Sequence, residues 1–342
     1  MHMTLKSGPR NLITDVPGLL VGNSEEHILK SGVSILTSSS PMTASYCVMG
    51  GAPGTRETDL LEPDKTVYGI NAVVLSGGSA FGLDATNGVM EYLRERGEGF
   101  AMGPINVPIA PTAIIFDLRN GGNKNWDENP YPKLGRKAIE NAAENFHLGS
   151  SGAGFGATTG QLKGGLGSAS TVLSNGTIVG ALVVVNAMGN VVDPISGKFW
   201  AAPFELENEF GGYGTPVNAV PGSMLQYSKV NSIKEGANST IGIVATNARI
   251  TKSEAKRIAT SAHDGFSRAI MPSHLPYDGD LIFAVSTDEI ETGHSNEDFA
   301  ELCHLSSVTM SRAIARAIYH ASSKANDTLN CFQDKYKKVS FR

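Results

Sequence analysis

The 342-residue sequence predicts an α/β fold in which mixed β-sheets are covered by helices, as a layered sandwich. Short apolar runs rich in Val, Ile, Thr and Phe recur along the chain and are bounded by Gly, Pro or Asn, which is typical of strands. Amphipathic segments are interspersed among these runs, and one pair of runs has the signal of a β-hairpin. This arrangement favours mixed sheets over a doubly wound parallel sheet.

Seven stretches of the sequence read as strands. They are "GVSILTS", "ASYCVMGG", "GINAVVLSGG", "TAIIFDL", "GSASTVLSNGTIVGALVVVNAMG", "STIGIVATN" and "GDLIFAVSTDE". In the fifth stretch Asn175-Gly176 lies between two apolar arms, which predicts a hairpin with a type I′ turn. In "STIGIVAT", alternation places Ile241 and Ile243 on one face and Gly242 and Val244 on the other.

Four segments are predicted to be helical: residues 80–97, 134–147, 251–271 and 295–322. Thr251 and Glu254 form a capping box at the start of the third. Ser295 with Asp298 can cap the fourth, whose alanines allow close packing. Residues 200–235 have the weakest pattern and are expected to form an exposed connection.

Composition excludes several classes of function. Hydrophobic residues make up 41% of the chain and charged residues 18%, as in a globular protein with a sizeable core. The net charge of −5 and the lack of a long basic run argue against a nucleic-acid partner. Three scattered cysteines, the absence of an apolar signal core and the absence of an 18-residue apolar run predict a cytoplasmic protein without a membrane segment. The histidines have no metal-like spacing, and neither a metal nor a cofactor is expected.

Two glycine-rich stretches are candidates for a site. In "LSGGSAFGLDA" (75–85) a strand leads through Gly77 and Gly78 into a helix, so backbone N–H groups could face an anion or a carbonyl, or the glycines could simply allow close packing. In "GGAPGTRETDLLEP" (50–63) the charges form either a site or an ordinary ion-pair network.

A third candidate is "YDGDLIF" (277–283). On an extended strand Asp278 and Asp280 would point to the same side, and such a pair can orient a nucleophile or hold a proton.

The stretch "EGANSTIGIVATN" (235–247) allows three interpretations. Asn238-Ser239-Thr240 is a formal glycosylation triplet, or a polar turn before a strand, or a cleavage point that frees Ser239 as a new N-terminus. A freed α-amine, with a pKa of about 7.7–8.0, could act as the base for its own hydroxyl. The residues alone leave these interpretations open.

Taken together and in order, "GGAPGTRETDLL", "LSGGSAFGLDA", "GANSTIGIVATNA" and "YDGDLIFAVSTDE" resemble the L-aminopeptidase/D-esterase family, which includes β-peptidyl aminopeptidases and 6-aminohexanoate-oligomer (nylon oligomer) hydrolases. The resemblance covers roughly residues 9–320. It implies a single-domain, four-layer αββα sandwich like that of N-terminal-nucleophile hydrolases. It also implies that one hydrolase domain, residues 1–342, cleaves itself into chains 1–238 and 239–342, and that such pairs assemble as a homo-oligomer, commonly a tetramer.

The resemblance also implies roles for individual residues. The cut falls between Asn238 and Ser239, and Ser239 becomes the nucleophile with its own amine as base. Asn186, in "VVVNAMG", matches an asparagine that serves the oxyanion. Lys163, in "GQLKGG", matches a lysine near the nucleophile of the nylon-oligomer enzymes, and Asp278 and Asp280 match their Asp-Gly-Asp.

One departure concerns Phe116, which stands where several members have a tyrosine. A phenyl ring cannot donate a hydrogen bond to an oxyanion. With Gly77 and Gly78, Phe116 is expected in the substrate pocket.

The leading prediction is therefore an aminopeptidase or amidase acting on short peptides, amides or esters. The alternatives are endo-hydrolysis of nylon oligomers and a non-catalytic small-molecule binding protein on the same fold.

Overall fold

The computed structural model describes residues 5–230, 238–291 and 295–336. Eleven strands lie in this part of the chain. Their bounds are β1 Leu19–Glu26, β2 Ser31–Val48, β3 Thr55–Arg56, β4 Gly69–Ser76, β5 Phe100–Met102, β6 Ile105–Val107, β7 Thr112–Ile114, β8 Gly165–Val172, β9 Ile178–Asn186, β10 Ser239–Ala248 and β11 Leu281–Ile290.

Nine of these strands share one network of backbone hydrogen bonds, in the order β3-β7-β4-β2-β11-β10-β9-β8, with β1 also paired to β2. The 18-residue strand β2 connects the two halves of this network. Its first half pairs with β1 and β4, and residues 43–48 pair with β11, with a shift of register between Thr37 and Met42. The pairings β10–β11 and β4–β7 are parallel, whereas β8–β9, β9–β10 and β2–β11 are antiparallel, so the sheet is mixed.

Six α-helices accompany the strands in the described residues. They are α1 Ala85–Glu95, α2 Tyr131–Glu140, α3 Lys252–Ala262, α4 Asp264–Ala269, α5 Asn296–Tyr319 and α6 Phe332–Tyr336.

Three separate apolar cores show that the structure has four layers. One core joins α1 and α2 to β2 and β4, a second lies between the two halves of the sheet network, and a third joins β8–β11 to α3, α4 and α5. Strand β10 contributes to two of them, since Ile241 and Ile243 lie in the middle core and Val244 in the third. The predicted αββα sandwich and the predicted alternation of β10 are both confirmed.

The helix starts that the sequence signalled are also confirmed. The Thr251 side chain accepts the Glu254 N–H in a capping box at α3, and the Ser295 side chain accepts the Asp298 N–H at α5. The predicted helix 80–97 begins instead as a 3₁₀ turn, Ser79–Asp84, and continues as α1.

Three local predictions are wrong in detail. The helix predicted over 134–147 lies at Tyr131–Glu140, with a proline in its first turn, where the missing N–H costs nothing. The β8–β9 hairpin exists, but of its two turn residues Gly176 alone has a positive φ, so the connection is not a type I′ turn. The connection expected to be exposed over 200–235 contains the buried side chains of Phe210 and Met224, and its last residues lie outside the described part of the chain.

Across residues 5–230, 238–291 and 295–336, the structure contains no helix with the length and apolarity needed to span a membrane.

Candidate active site

Ser239 is the first residue of β10 and is 1% exposed. Strand β10 runs antiparallel to β9, and in this register Ser239 stands directly opposite Asn186, the last residue of β9. The apolar alternation of both strands fixes this register, because a slip of one residue would turn every core side chain to the wrong face. The two residues that the sequence places far apart therefore meet at one end of the sheet.

The peptide bond before Ser239 is held by the backbone of residues 277–279. Asn238 donates its N–H to the Tyr277 carbonyl at 3.1 Å, and its own carbonyl oxygen accepts the Gly279 N–H at 2.6 Å. A backbone N–H aimed at a carbonyl oxygen stabilises the negative charge that develops there when a nucleophile attacks. The Asn238 carbonyl is thus polarised next to the Ser239 hydroxyl.

Gly279 is the point of closest approach to that hydroxyl. A Cβ atom at this position would lie 2.4 Å from Ser239 Oγ and 2.7 Å from the Ala52 carbonyl oxygen. The "GGAPG" stretch supports the same segment from the other side, since the Ala52 N–H donates to the Asp278 carbonyl at 2.9 Å. The glycine between the two aspartates is therefore required by the close approach of the Ser239 hydroxyl and the Ala52 carbonyl.

Asp280 fixes the start of β10. Its Oδ1 accepts the Thr240 N–H at 2.8 Å, and its Oδ2 accepts the His274 N–H at 3.1 Å and lies 2.9 Å from His274 Nδ1. Burial alone would lower the pKa of His274, but the hydrogen bond and charge of Asp280 outweigh burial, and the pKa is raised. The carboxylate thus links the residue after the nucleophile to an imidazole.

Asp278 is a buried carboxyl group with a raised pKa. Its oxygens accept the N–H groups of Leu275 at 3.0 Å and Met188 at 3.3 Å. Burial, and then the nearby charge of Asp280, raise its pKa to about 7, while Lys229 and the two N–H donors oppose the rise. A carboxyl group with such a pKa can either accept or release a proton under physiological conditions.

Lys229 is a further member of this cluster. Its ammonium group donates to the Asn238 side-chain oxygen and to the Thr158 carbonyl, each at 2.8 Å. Burial lowers its pKa to about 7, against the opposing charge of Asp278. Lys229 therefore binds the residue whose carbonyl lies next to the nucleophile.

Asn186 has its amide orientation set by two backbone contacts. Its Oδ1 accepts the Thr158 N–H at 3.0 Å, and its Nδ2 donates to the Phe116 carbonyl at 3.1 Å. The Phe116 main chain therefore accepts one of the two N–H donors of the Asn186 amide.

The glycine-rich stretch lies beside the same segment. The Gly78 N–H donates to Asp117 Oδ1 at 2.7 Å, and a Cβ on Gly77 would lie 2.4 Å from Asp117 Oδ2. Gly78 has a φ of +84°, and a Cβ there would lie 2.0 Å from the Tyr131 ring. Gly77 and Gly78 thus pack against the residue that follows Phe116 and against helix α2.

The Lys163 ammonium group is held in an ion pair with Asp327. Its ammonium group is bound by both oxygens of Asp327, at 2.9 and 2.7 Å, and the same carboxylate binds Lys30 at 2.5 Å. Burial lowers the pKa of Lys163, although Asp327 opposes this. Among the contacts of the described residues, no hydrogen bond or ion pair joins Lys163 to Ser239.

The structure thus brings together Ser239, Asn238, Asn186, Asp278 and Asp280, and the Lys163 ammonium group lies in an ion cluster with Asp327 and Lys30. Sequence reasoning missed two residues of the site.

These two residues are Lys229 and His274. Lys229 lies in the segment with the weakest sequence pattern, and no motif marks it. His274 lies six residues before its partner Asp280, and only that proximity in the sequence could have drawn attention to it.

Comparison with known proteins shows what the chain is similar to. The chain is 41% identical, over 82% of both chains, to an uncharacterized aminopeptidase of Mycobacterium tuberculosis. It is 29% identical to a 6-aminohexanoate-oligomer endohydrolase of Paenarthrobacter ureafaciens, over 83% of this chain and 77% of that protein. The solved L-aminopeptidase D-Ala-esterase/amidase of Ochrobactrum anthropi, described as a variant of the Ntn hydrolase fold, superimposes with a TM-score of 0.68 at 20% identity, over 99% of this chain and 97% of that one.

A family model supplies the decisive match. The model of peptidase family S58 matches residues 11–330, which is nearly the whole chain and contains every residue of the cluster around Ser239. The protein therefore belongs to peptidase family S58 and is a hydrolase of amide bonds.

Proposed function

We propose that the protein is a self-processing aminopeptidase or amidase in which Ser239, freed by cleavage after Asn238, is an N-terminal nucleophile. The observation that carries this proposal is the Asn238–Ser239 peptide itself. Its carbonyl oxygen accepts the Gly279 N–H at 2.6 Å, and the Ser239 hydroxyl lies beside Gly279. A polarised carbonyl next to a buried hydroxyl is the arrangement that acyl transfer needs.

Self-cleavage begins with the Ser239 nitrogen still in an amide bond, so this nitrogen cannot serve as the base. We assign the base to Asp278, whose main chain pairs with Asn238 and whose carboxyl group has its pKa raised to about 7, so that it can take the hydroxyl proton near neutral pH. Oγ then bonds to the Asn238 carbonyl carbon, and the oxyanion is stabilised by the Gly279 N–H. The C–N bond breaks, the nitrogen takes a proton and becomes the Ser239 amine, and water hydrolyses the resulting ester.

In the mature enzyme the new amine takes over as base, since its ordinary pKa of about 7.7–8.0 suits proton transfer near neutrality. Ser239 Oγ attacks the substrate carbonyl, the leaving amine is protonated, and water releases the acyl group. Asp278 and Asp280 orient the Ser239 ammonium, and Asn186 donates to the oxyanion the Nδ2 hydrogen that is not bound to the Phe116 carbonyl. Lys163 would act on the amine only through its electrostatic field, because Asp327 binds its ammonium group.

The test is the covalent state of the purified protein. Wild type is expected as chains 1–238 and 239–342 on a denaturing gel, with masses that place the cut before Ser239. Ser239→Ala is expected as one intact, inactive chain, and Ser223→Ala, a nearby serine that hydrogen-bonds only within its own turn, should cleave like wild type. Intact, fully active wild type would contradict the proposal.

Endo-hydrolysis of linear polyamides is the second candidate. It is favoured by the Asp278-Gly279-Asp280 segment at the nucleophile together with the similarity to the Paenarthrobacter endohydrolase. Incubation with 6-aminohexanoate oligomers and, separately, with aminoacyl-p-nitroanilides distinguishes the two. Turnover of the anilides alone rejects the polyamide activity.

A homo-oligomer, such as a tetramer of cleaved pairs, stays a prediction that light scattering of the purified protein would check.

A further inference from the structure

The Asn238–Ser239 peptide bond, which we propose the protein cleaves, shows where a substrate would lie. Self-cleavage and substrate hydrolysis both pass through an ester on Ser239 Oγ. In the self-cleavage ester, the residue bonded to Ser239 Oγ through its carbonyl carbon is Asn238. In the hydrolysis ester, the residue bonded in the same way comes from the substrate. Asn238 therefore marks the position of a substrate residue on the acyl side of the bond, an inference that rests on the proposed function.

Within the described part of the chain Asn238 makes three hydrogen bonds, two through its main chain and one through its side chain. The backbone N–H and carbonyl bind Tyr277 and Gly279, as any residue could. The side-chain oxygen accepts a hydrogen bond from Lys229 Nζ at 2.8 Å. The whole residue is 7% exposed, so its side chain fills an enclosed place beside the nucleophile.

Lys229 is held in place independently of Asn238. Its backbone N–H donates to the Met188 carbonyl at 3.0 Å, and its Nζ also donates to the Thr158 carbonyl at 2.8 Å. The main chain just before Lys229 is held in place as well, because Asn190 Nδ2 donates to the Tyr227 carbonyl at 2.9 Å. Departure of Asn238 breaks none of these contacts, so Lys229 stays beside Ser239 after cleavage.

The amine of Lys229 can donate in either protonation state. An ammonium group has three N–H donors and a neutral amine has two, and the Thr158 carbonyl uses one of them. A second donor is then directed to the place where the Asn238 oxygen lies. An aliphatic side chain of the same shape offers no oxygen there, so the hydrogen bond that the Asn238 side chain makes with Lys229 is lost.

We propose that Lys229 and the Thr158 carbonyl form a side-chain subsite for the acyl residue of the substrate, and that this subsite selects residues with a side-chain carbonyl oxygen, asparagine above all. The substrate class is thus amides and short peptides with an N-terminal asparagine. Leucine, which has nearly the same shape but no acceptor, is the residue that the subsite disfavours.

The experiment compares L-asparaginyl- and L-leucyl-p-nitroanilide with the mature protein. Loss of one hydrogen bond to a partly charged donor corresponds to about tenfold in kcat/KM, so wild type should favour the asparaginyl substrate by about this factor. Lys229→Met should bring the ratio close to one, mainly by slowing the asparaginyl substrate. Lys133→Met, the same change at an exposed lysine on α2, should keep the wild-type ratio.

A wild-type ratio near one, or an unchanged ratio in Lys229→Met, overturns the subsite. If the wild type stays intact and hydrolyses neither anilide, the proposed function itself fails. A protein that cleaves itself and hydrolyses both substrates equally refutes the subsite alone.

A second measurement covers the case in which Lys229→Met does not mature. Self-cleavage rates are compared for Lys229→Met, Asn238→Leu and the double variant. If Lys229 acts through the Asn238 side chain, the double variant should cleave no more slowly than the slower single variant. Additive losses would show that Lys229 supports the fold or the chemistry by another route, and would overturn the proposal.

Discussion

Replacing Gly279 with alanine tests the geometry around the nucleophile most directly. The added Cβ would lie 2.4 Å from Ser239 Oγ and 2.7 Å from the Ala52 carbonyl oxygen. The Ala52 backbone is tied to the Asp278 carbonyl, so relief has to come chiefly from the serine. An ordinary contact requires Oγ to move by about 1 Å, and a misplacement of this size costs about 100-fold in rate. Gly279→Ala should therefore slow self-cleavage by about 100-fold or more.

The assay follows the intact precursor over time on a denaturing gel, with mass spectrometry to locate the cut. Gly222→Ala is the matched control, because a Cβ there would meet no atom within 4 Å, and it should cleave like wild type. Gly279→Ala that cleaves within a few-fold of wild type would refute the reasoning.

The melting temperature shows whether the clash is with the serine. Gly279→Ala should destabilise the protein less in a Ser239→Ala background, since the closest contact, to Oγ, is then gone. Equal destabilisation in both backgrounds would place the strain at the Ala52 carbonyl instead.

Two predictions concern stability away from the nucleophile. Asp327→Asn leaves the buried ammonium groups of Lys30 and Lys163 without their shared carboxylate, and it should lower the free energy of unfolding in urea by about 3–5 kcal/mol. Lys163→Met keeps the pair of Asp327 with Lys30 and should lower this free energy clearly less. Burial lowers the pKa of His263 from 6.5 to about 4. Below pH 6.5 the unfolded chain therefore binds a proton at His263 that the folded chain does not bind, and the free energy of unfolding falls by about 3 kcal/mol by pH 4. His263→Phe should lose correspondingly less over this range, and an unchanged pH profile of the unfolding free energy would contradict the assignment.

Features that depend on neighbouring residues could be predicted from the sequence. The capping box of Thr251 and Glu254 forms within one turn, and the alternation of Ile241 and Ile243 needs only a strand with one buried face. Such local patterns, repeated over the chain, predicted a layered sandwich of mixed sheets and helices, and the family resemblance of the ordered motifs implied its four layers.

The electrostatic partners of the site could not be predicted in this way. Lys163 and Asp327 are 164 positions apart, and their pairing follows from the packing of a loop before β8 on the segment after α5. Lys229 reaches Asn238 from a segment with little pattern, and His274 reaches Asp280 through a turn in which His274 has a φ of +56°. Each of these contacts is decided by tertiary packing, on which a single sequence carries no periodic signal.

The same dependence on tertiary packing means that the proposed self-cleavage has to follow folding. The groups around the Asn238–Ser239 bond come from β9, from Lys229 and from the segment before β11, and the parallel pairing of β10 with β11 is a long-range contact. In an unfolded chain Asp278 has an ordinary carboxyl pKa and the Asn238 carbonyl has no Gly279 donor, so the bond is an ordinary peptide bond. Cleavage therefore reports both folding and chemistry. A loss of cleavage can be assigned to chemistry only when the uncleaved variant unfolds at the temperature of Ser239→Ala.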